Sequence, residues 1–433
     1  MTSDPQVRSS LAFASLDRPR TSGAVMHRLR TRCRACDGTA LRAFLSLGPQ
    51  PLANAFLSGE AEFGDERFFP LDVYCCDGCG LVQLLDVIDP EALFGHYLYV
   101  SGVSETMAAH FRGYAWSVTE TLSLSPADLV VEIASNDGSL LACFAELGVR
   151  TLGVEPARNI AAMARARGID TVSRFFDYQV GRELAAAYGT ARAVVANNVL
   201  AHVDDPRSFL AGCAQLIADD GQIVVEVPYA ADLLARCEYD TIYHEHLCYF
   251  TVGPLARIGE SAGLAIARVD RMPVHGGTIR VWFRKGSEHA PGAQSMMQEE
   301  RDARLTDFAT WADFGRAAAA NREALRSLLQ GLREDGRCIA AYGAPAKGNT
   351  LLNYCGIDTS WLPFTVDRSP LKVGKLTPGM HIPVRPVDTV LERQPDYLLI
   401  LAWNFAEEIM AQQAAYREAG GRFILPLPSP RVV

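Results

Sequence analysis

Hydrophobic positions divide the chain into zones of different texture. Residues 28 to about 95 carry short strand-like apolar runs broken by turn residues. From about 96 to 288, apolar runs alternate with helical patterns. The runs LVVEIA (129–134), RTLGVE (150–155), AVVANN (193–198), GQIVVEVP (221–228) and GTIRVWF (277–283) predict strands. Strands alternating with helices imply a parallel sheet with crossover helices. Residues 289–334 turn polar and helical, which predicts a long amphipathic packing helix. Beyond them the alternation returns in CIAAYGA, LPFTVD, DYLLILAW and RFILPLP, a second and smaller α/β unit. The expected fold class is therefore α/β, with divisions at 28–95, 96–288 and 289–433.

Composition narrows this reading. The chain is 49% hydrophobic and 21% charged, as a globular protein is. No apolar run approaches the roughly 18–20 residues of a membrane span, so no membrane partner is expected. Residues 1–27 lack the apolar core of a signal peptide and read as a disordered leader, inside which Met26 is an alternative start. A net charge of −9 argues against a nucleic-acid partner. Eleven cysteines without a secretion signal point to a reducing, cytoplasmic compartment and to metal binding rather than disulfides.

Four of those cysteines form two C-x-x-C knuckles, Cys33-Arg-Ala-Cys36 and Cys76-Asp-Gly-Cys79. Each knuckle aims two thiolates at one ion, and the pair makes a tetrahedral sulfur set suited to Zn²⁺. Such a closed set is structural rather than catalytic. The spacer from 37 to 75 must itself be folded. Cys75 competes for ligand status, but Cys76 has the correct spacing to Cys79.

The stretch DLVVEIASNDGSLL (128–141) reads as a strand, a small-residue turn and a helix start, the place where doubly wound sheets bind nucleotides. The turn Ala134-Ser135-Asn136-Asp137-Gly138 is not G-x-G-x-x-G, which disfavours a dinucleotide. S-adenosylmethionine has no phosphate and tolerates a polar turn. It needs acceptors for its amino group and a carboxylate for its ribose. Glu132 lies in the strand, and Glu155, followed by Pro156, ends the next one. The separation of Asp137 from Glu155 is near the roughly 20 residues expected between turn and carboxylate. Asn197 and Asn198 end a third strand. An NAD site, or no cofactor, is the alternative.

The stretch YHEHLCYF (243–250) sets four proton-handling side chains in a row. Two histidines and a carboxylate are zinc-like ligands. H-E-H is not H-E-x-x-H, however, and a helix would splay histidines two apart, with His244 facing away from His246. An acid–base centre is the other reading.

Several motifs, in order, carry a resemblance: CDGCGLVQL, YLYVSGVSETM (97–107), EIASNDGSLL, GVEPARNIA, ANNVLAHVDD, YHEHLCYF, HGGTIR (275–280), YGAPAKGNTLLNY (342–354) and VDRSPLKVGKLTPGMHIPV (366–384). From about residue 30 onward the chain resembles the S-adenosylmethionine-dependent C-methyltransferases of nucleotide-linked keto-deoxysugars, such as those of tetronitrose and mycarose-type sugar biosynthesis. The resemblance implies a zinc module, a class I methyltransferase domain and a Rossmann-like C-terminal domain without cofactor, with the nucleotide-sugar held across the last two. It implies antibiotic-type deoxysugar biosynthesis and methylation at C3 of a dTDP-4-keto-6-deoxyhexose, C5 being the nearest variant. An RNA methyltransferase and a non-catalytic nucleotide-sugar binder are the readings from other classes. A monomer or weak oligomer is expected.

Carbon must become nucleophilic before it accepts a methyl group. A base removes the proton beside the ketone, and a donor stabilises the enolate. His246 is the expected base, and Tyr243 donates to the keto oxygen or fixes the base. Glu245 orients an imidazole or acts as base itself. The resemblance adds His202 and Tyr97 to this pocket. In the C-terminal unit, APAKGNT opens a helix whose N–H groups attract anions, and Lys347 adds charge for a diphosphate. Asp367, Lys372, Asn349 and Asn404 are candidate polar contacts for the nucleotide-sugar. His275 sits in a tight turn, His275-Gly276-Gly277-Thr278, expected beside the sugar.

Overall fold

The computed structural model describes residues 26–95, 105–272 and 276–433. Tyr97 and His275 lie outside them, as do residues 1–25. The strand His27–Leu29 pairs antiparallel with Asp86–Ile88, and His27 Nε2 lies 2.7 Å from Asp86 Oδ1. His27 therefore belongs to the folded part and not to the expected leader.

The central sheet has seven strands, in the spatial order Leu264–Met272, Thr278–Lys285, Ile217–Pro228, Ala191–Asn197, Leu129–Ile133, Arg150–Val154 and Thr171–Val172. The last five run parallel, as apolar runs separated by helices require. Thr278–Lys285 differs from the parallel expectation. It runs antiparallel to both its neighbours, because it returns directly from Leu264–Met272 as a hairpin instead of through a crossover helix. Leu129–Ile133 has the next strand in sequence on one side and a later one on the other. That reversal opens a crevice at its carboxyl end, where ligands bind in such sheets.

The C-terminal sheet has six strands, ordered Val384–Arg385, Thr365–Val366, Ile339–Tyr342, Tyr397–Ile400, Arg422–Leu425 and Arg431–Val432, parallel except at the last pair. Ile339–Tyr342 occupies the equivalent reversal point, and the helix Ala346–Cys355 begins just beyond it.

The N-terminal sheet is antiparallel: Leu41–Pro51, Phe68–Cys76, Val82–Leu84 and, from far along the chain, Cys248–Tyr249. One long helix, Phe308–Glu334, packs against both this sheet and the C-terminal unit. Its buried Trp311, Phe314, Ala318, Leu325 and Leu329 recur every three to seven residues, the stripe that an amphipathic helix buries. Gly315 lies so close to the first strand that a Cβ there would sit 2.4 Å from the Phe44 carbonyl oxygen.

Candidate active site

The two knuckles come together. The sulfurs of Cys33, Cys36, Cys76 and Cys79 all lie within 4.8 Å of one another, with Cys33–Cys79 and Cys36–Cys76 at 3.5 Å. Four sulfurs about 2.3 Å from a tetrahedral Zn²⁺ stand about 3.8 Å apart, so the set fits that ion. Cys75 is fully buried, is absent from the cluster and has its thiol pushed up to about 12 by burial. Gln83 Nε2 donates to Cys33 Sγ at 3.2 Å, the outer-shell bond a thiolate ligand uses.

At the carboxyl end of Leu129–Ile133 the chain folds into a tight cup. Ala134, Asn136 and Gly138 all have positive φ, at 56°, 49° and 75°. For the two non-glycine residues this costs on the order of 1 kcal/mol each, and such conformations gather at ligand sites. Gly153 of the adjacent strand makes room for the cup, since a Cβ there would stand 2.5 Å from Ser135 Oγ. Glu155 accepts from the backbone N–H of Asn136 at 2.9 Å and of Ala157 at 2.8 Å, and Pro156 turns the chain between them. Each carboxylate oxygen keeps a further lone pair for a hydroxyl. Burial raises the Glu155 carboxyl to about 6.

Beneath the cup, burial first and then the Asp137 and Glu155 carboxylates push Glu132 well above the usual carboxylate range. Glu132 Oε2 and Ser135 Oγ are buried with no hydrogen-bond partner among the described residues. Buried polar groups without partners are costly, and at the carboxyl end of a central strand a bound ligand could supply the partners these lack. Asp137 is already engaged, by Arg167 Nη1 at 2.6 Å and Ser139 Oγ at 2.7 Å. Asn197 ends the neighbouring strand, and the Asn198 N–H just beyond it donates to the Glu226 carbonyl at 2.8 Å.

The YHEH segment is a turn, not a helix. His246 Nδ1 lies 2.7 Å from the Thr241 carbonyl oxygen. A carbonyl only accepts, so the ring proton resides on Nδ1 and Nε2 carries the lone pair. Nε2 stands 2.9 Å from the Tyr243 hydroxyl, which donates to it. The His202 ring packs edge-on against His246, with centroids 4.8 Å apart. Surrounding protein lowers His246 to about 4, and burial, then His246, depresses His202 well below its ordinary value. His246 is nevertheless only half-buried. His244 turns the other way, its Nε2 3.1 Å from the Pro70 carbonyl. Glu245 is buried and receives Asn54 Nδ2 at 2.7 Å. The sequence reading missed Asn54; its one signal is the small-residue stretch PLANAF, too generic to stand out.

At the edge of the C-terminal unit, Lys347 Nζ contacts Asn404 Oδ1 and lies 4.0 Å from the Trp403 ring centre. Trp403 Nε1 donates to Asp240 Oδ2 at 2.7 Å. Burial lowers Lys347 to about 8, while Asp240 and Glu238 oppose that shift. Burial raises Asp240 to about 6 and Glu238 to about 8. Glu238, Asp240 and Trp403 were not anticipated, though Asp240 and Trp403 flank residues that were. The remaining candidates serve backbone groups. Asp367 Oδ2 and Lys372 Nζ hold the N–H and carbonyl of Ala344, each at 2.8 Å. Asn349 Nδ2 donates to the Ala53 carbonyl at 2.7 Å. Gly276 and Gly277 have φ of 90° and 126°, and side chains there would strike Glu238 and Asp232.

Comparison with known proteins agrees with this layout. Residues 33–94 match a family model described as "Putative zinc binding domain", residues 108–269 one described as "Methyltransferase domain", and residues 273–428 one described as "C-methyltransferase C-terminal domain". Over 404 residues the chain is 40% identical to the C-methyltransferase NovU of Streptomyces niveus, covering 93% of this chain and 96% of that one. Among solved structures, magnesium protoporphyrin IX methyltransferase from Synechocystis PCC 6803 aligns at 16% identity over 42% of this chain and 82% of its own, with a TM-score of 0.31. The CcbJ methyltransferase from Streptomyces caelestis aligns at 16% identity over 41% and 89%, with a TM-score of 0.32. Identity sustained along nearly the whole of both chains places this protein in the C-methyltransferase family, as an S-adenosylmethionine-dependent enzyme with a zinc-binding N-terminal module.

Proposed function

We propose that this enzyme methylates a nucleotide-linked keto-deoxysugar, at C3 of a dTDP-4-keto-6-deoxyhexose. The observation that carries the reading is the Tyr243–His246 pair, in which a carbonyl holds the imidazole proton on Nδ1 and leaves Nε2 as a base. S-adenosylmethionine, held by Glu155 and by the Glu132–Ser135 cup, supplies the electrophilic methyl. His246 Nε2 takes the proton from the carbon beside the ketone. Tyr243, displaced from Nε2, donates its hydroxyl to the keto oxygen and stabilises the charge that develops there in the enolate. His202, kept neutral, adds no repulsion to the imidazolium that forms. Attack of the enolate carbon on the methyl would break the methyl–sulfur bond, leave the neutral thioether and restore the ketone, after which His246 returns its proton to solvent.

Glu245 is a support rather than the base, since Asn54 already holds its carboxylate. Lys347 and Asn404 are proposed to contact the sugar. With Glu238 and Asp240 beside Lys347, a hydroxyl suits that place better than a diphosphate. Asn349, Asp367 and Lys372 support the wall behind it. Tyr97 and His275 remain proposed pocket residues on the resemblance alone. A proton at C5 is acidified by the same C4 ketone, so the identical base chemistry serves C5.

The test is incubation with S-adenosylmethionine and a panel of dTDP-4-keto sugars. Mass spectrometry reads a gain of one methyl, and NMR locates the new carbon. His246→Asn is expected to lower kcat by about 10²–10⁴, the range of general-base contributions, while S-adenosylmethionine affinity stays within about twofold. Full turnover in that variant removes His246 as base.

A further inference from the structure

The histidine pair is built on the zinc module. Its first anchor is Asp204, two residues beyond His202. Asp204 receives Arg34 Nη2 at 3.0 Å and Arg30 Nη1 at 3.4 Å, and contacts Arg28 as well. Arg34 lies inside the first knuckle and is fully buried. It also donates to Gln83 Oε1, from its backbone N–H at 3.1 Å and from Nη1 at 3.3 Å. Gln83 in turn donates to the ligand Cys33. An unbroken polar path therefore runs from the metal seat through Gln83 and Arg34 to Asp204.

The second anchor is the backbone of the YHEH segment. Immediately after His246, the Leu247 N–H donates to the Ala201 carbonyl at 2.8 Å, and the Leu247 carbonyl accepts from Leu84 at 3.0 Å. Cys248 then pairs with Gln83 as the edge strand of the zinc-bearing sheet. Both histidines are thus tied to the zinc module, His202 through the segment that carries Asp204 and His246 through the Leu247 backbone, while the backbone of Asn198 and Thr241 holds them from the central lobe.

We propose that Gln83, Arg34 and Asp204 are positioning residues that transmit the geometry of the zinc centre to His202 and His246. The proposal rests on the reading of that pair as the proton-transfer centre. Asp204 is the place to test it, being partly exposed and shared by all three arginines. Asp204→Asn is expected to lower kcat by about tenfold to a hundredfold, because displacements near 1 Å cost that much in positioned chemistry. Zinc content stays at one per chain and S-adenosylmethionine affinity within twofold, and Asp204→Glu recovers part of the loss. Backbone hydrogen exchange, which needs no substrate, should quicken in peptides 199–206 and 241–250 and stay unchanged in 129–155.

Wild-type kcat and wild-type exchange in Asp204→Asn overturn the proposal. So does loosening that reaches 129–155 equally, which marks general destabilisation. If His246→Asn keeps full turnover, the base assignment falls, and the exchange pattern in Asp204→Asn still decides whether the zinc module frames the segment.

Discussion

An imidazole with its proton fixed on Nδ1 and its value lowered to about 4 is neutral across the physiological range. It is ready to act as a base at every working pH, although a weak one until the developing enolate raises it. The pH profile should then lack an inflection near 6.5, where a free histidine titrates. Its acid limb should fall near pH 6, where Glu155 gains a proton and stops accepting from ribose as an anion. Glu155→Gln should remove that limb and weaken S-adenosylmethionine binding by about tenfold or more, the worth of hydrogen bonds to a charged group. Calorimetric titration of cofactor binding between pH 5 and 8 checks this. An inflection at 6.5 that vanishes in His246→Asn would show instead that the imidazole titrates freely. Acid also weakens the fold through His246. Its native value lies below its unfolded one, so the unfolded state binds more protons between about pH 4 and 6.5, and stability falls as pH drops through that window.

At the scale of elements, the cup depends on what its neighbouring strand omits. Gly153→Ala puts a methyl 2.5 Å from Ser135 Oγ and 3.1 Å from Thr171 Oγ1. Overpacking of this kind costs about 1–3 kcal/mol, and the cup must shift to relieve it. Thermal unfolding should drop by several degrees and cofactor affinity should weaken. Adding Ser135→Ala should restore part of the stability, because it removes the nearest clashing atom. If Gly153→Ala binds cofactor normally, the cup does not depend on that contact. Strands and turn here were legible in the sequence, since LVVEIA and RTLGVE are short apolar runs whose ends carry the site residues. The strand Leu264–Met272 was not. Its alternation is broken by Arg268, Asp270 and Arg271, and its partner runs antiparallel, a direction that no periodicity encodes. Nor was the pairing of Cys248–Tyr249 with a sheet more than 150 residues earlier, because two residues carry no pattern.

Across the whole molecule, the same limit explains which site residues could be read. Tyr243 and His246 stand in one cluster of proton-handling residues, so they can be picked out from the sequence, whereas His202 stands alone and entered only through the resemblance. Asn54, Arg34 and Asp204 are ordinary until the fold makes them meet. Residues 53–57 are the clearest case, since they are pinned between lobes. Asn54 reaches Glu245 in the central lobe, while the Ala53 carbonyl takes Asn349 from the C-terminal one. Phe56 packs with Ala344 and Val384, and Leu57 pairs with Leu376. This segment therefore spaces the two lobes between which the sugar is proposed to lie. Phe56→Ala should cost about 3 kcal/mol as a cavity opens. More tellingly, it should raise KM for the keto-sugar by about tenfold while leaving cofactor affinity unchanged, because the cup lies on the central sheet alone. Steady-state kinetics with each substrate varied in turn separates the two effects. A rise in both constants would mean that the segment supports the central lobe itself, and an unchanged sugar KM would mean that the lobes keep their spacing without it.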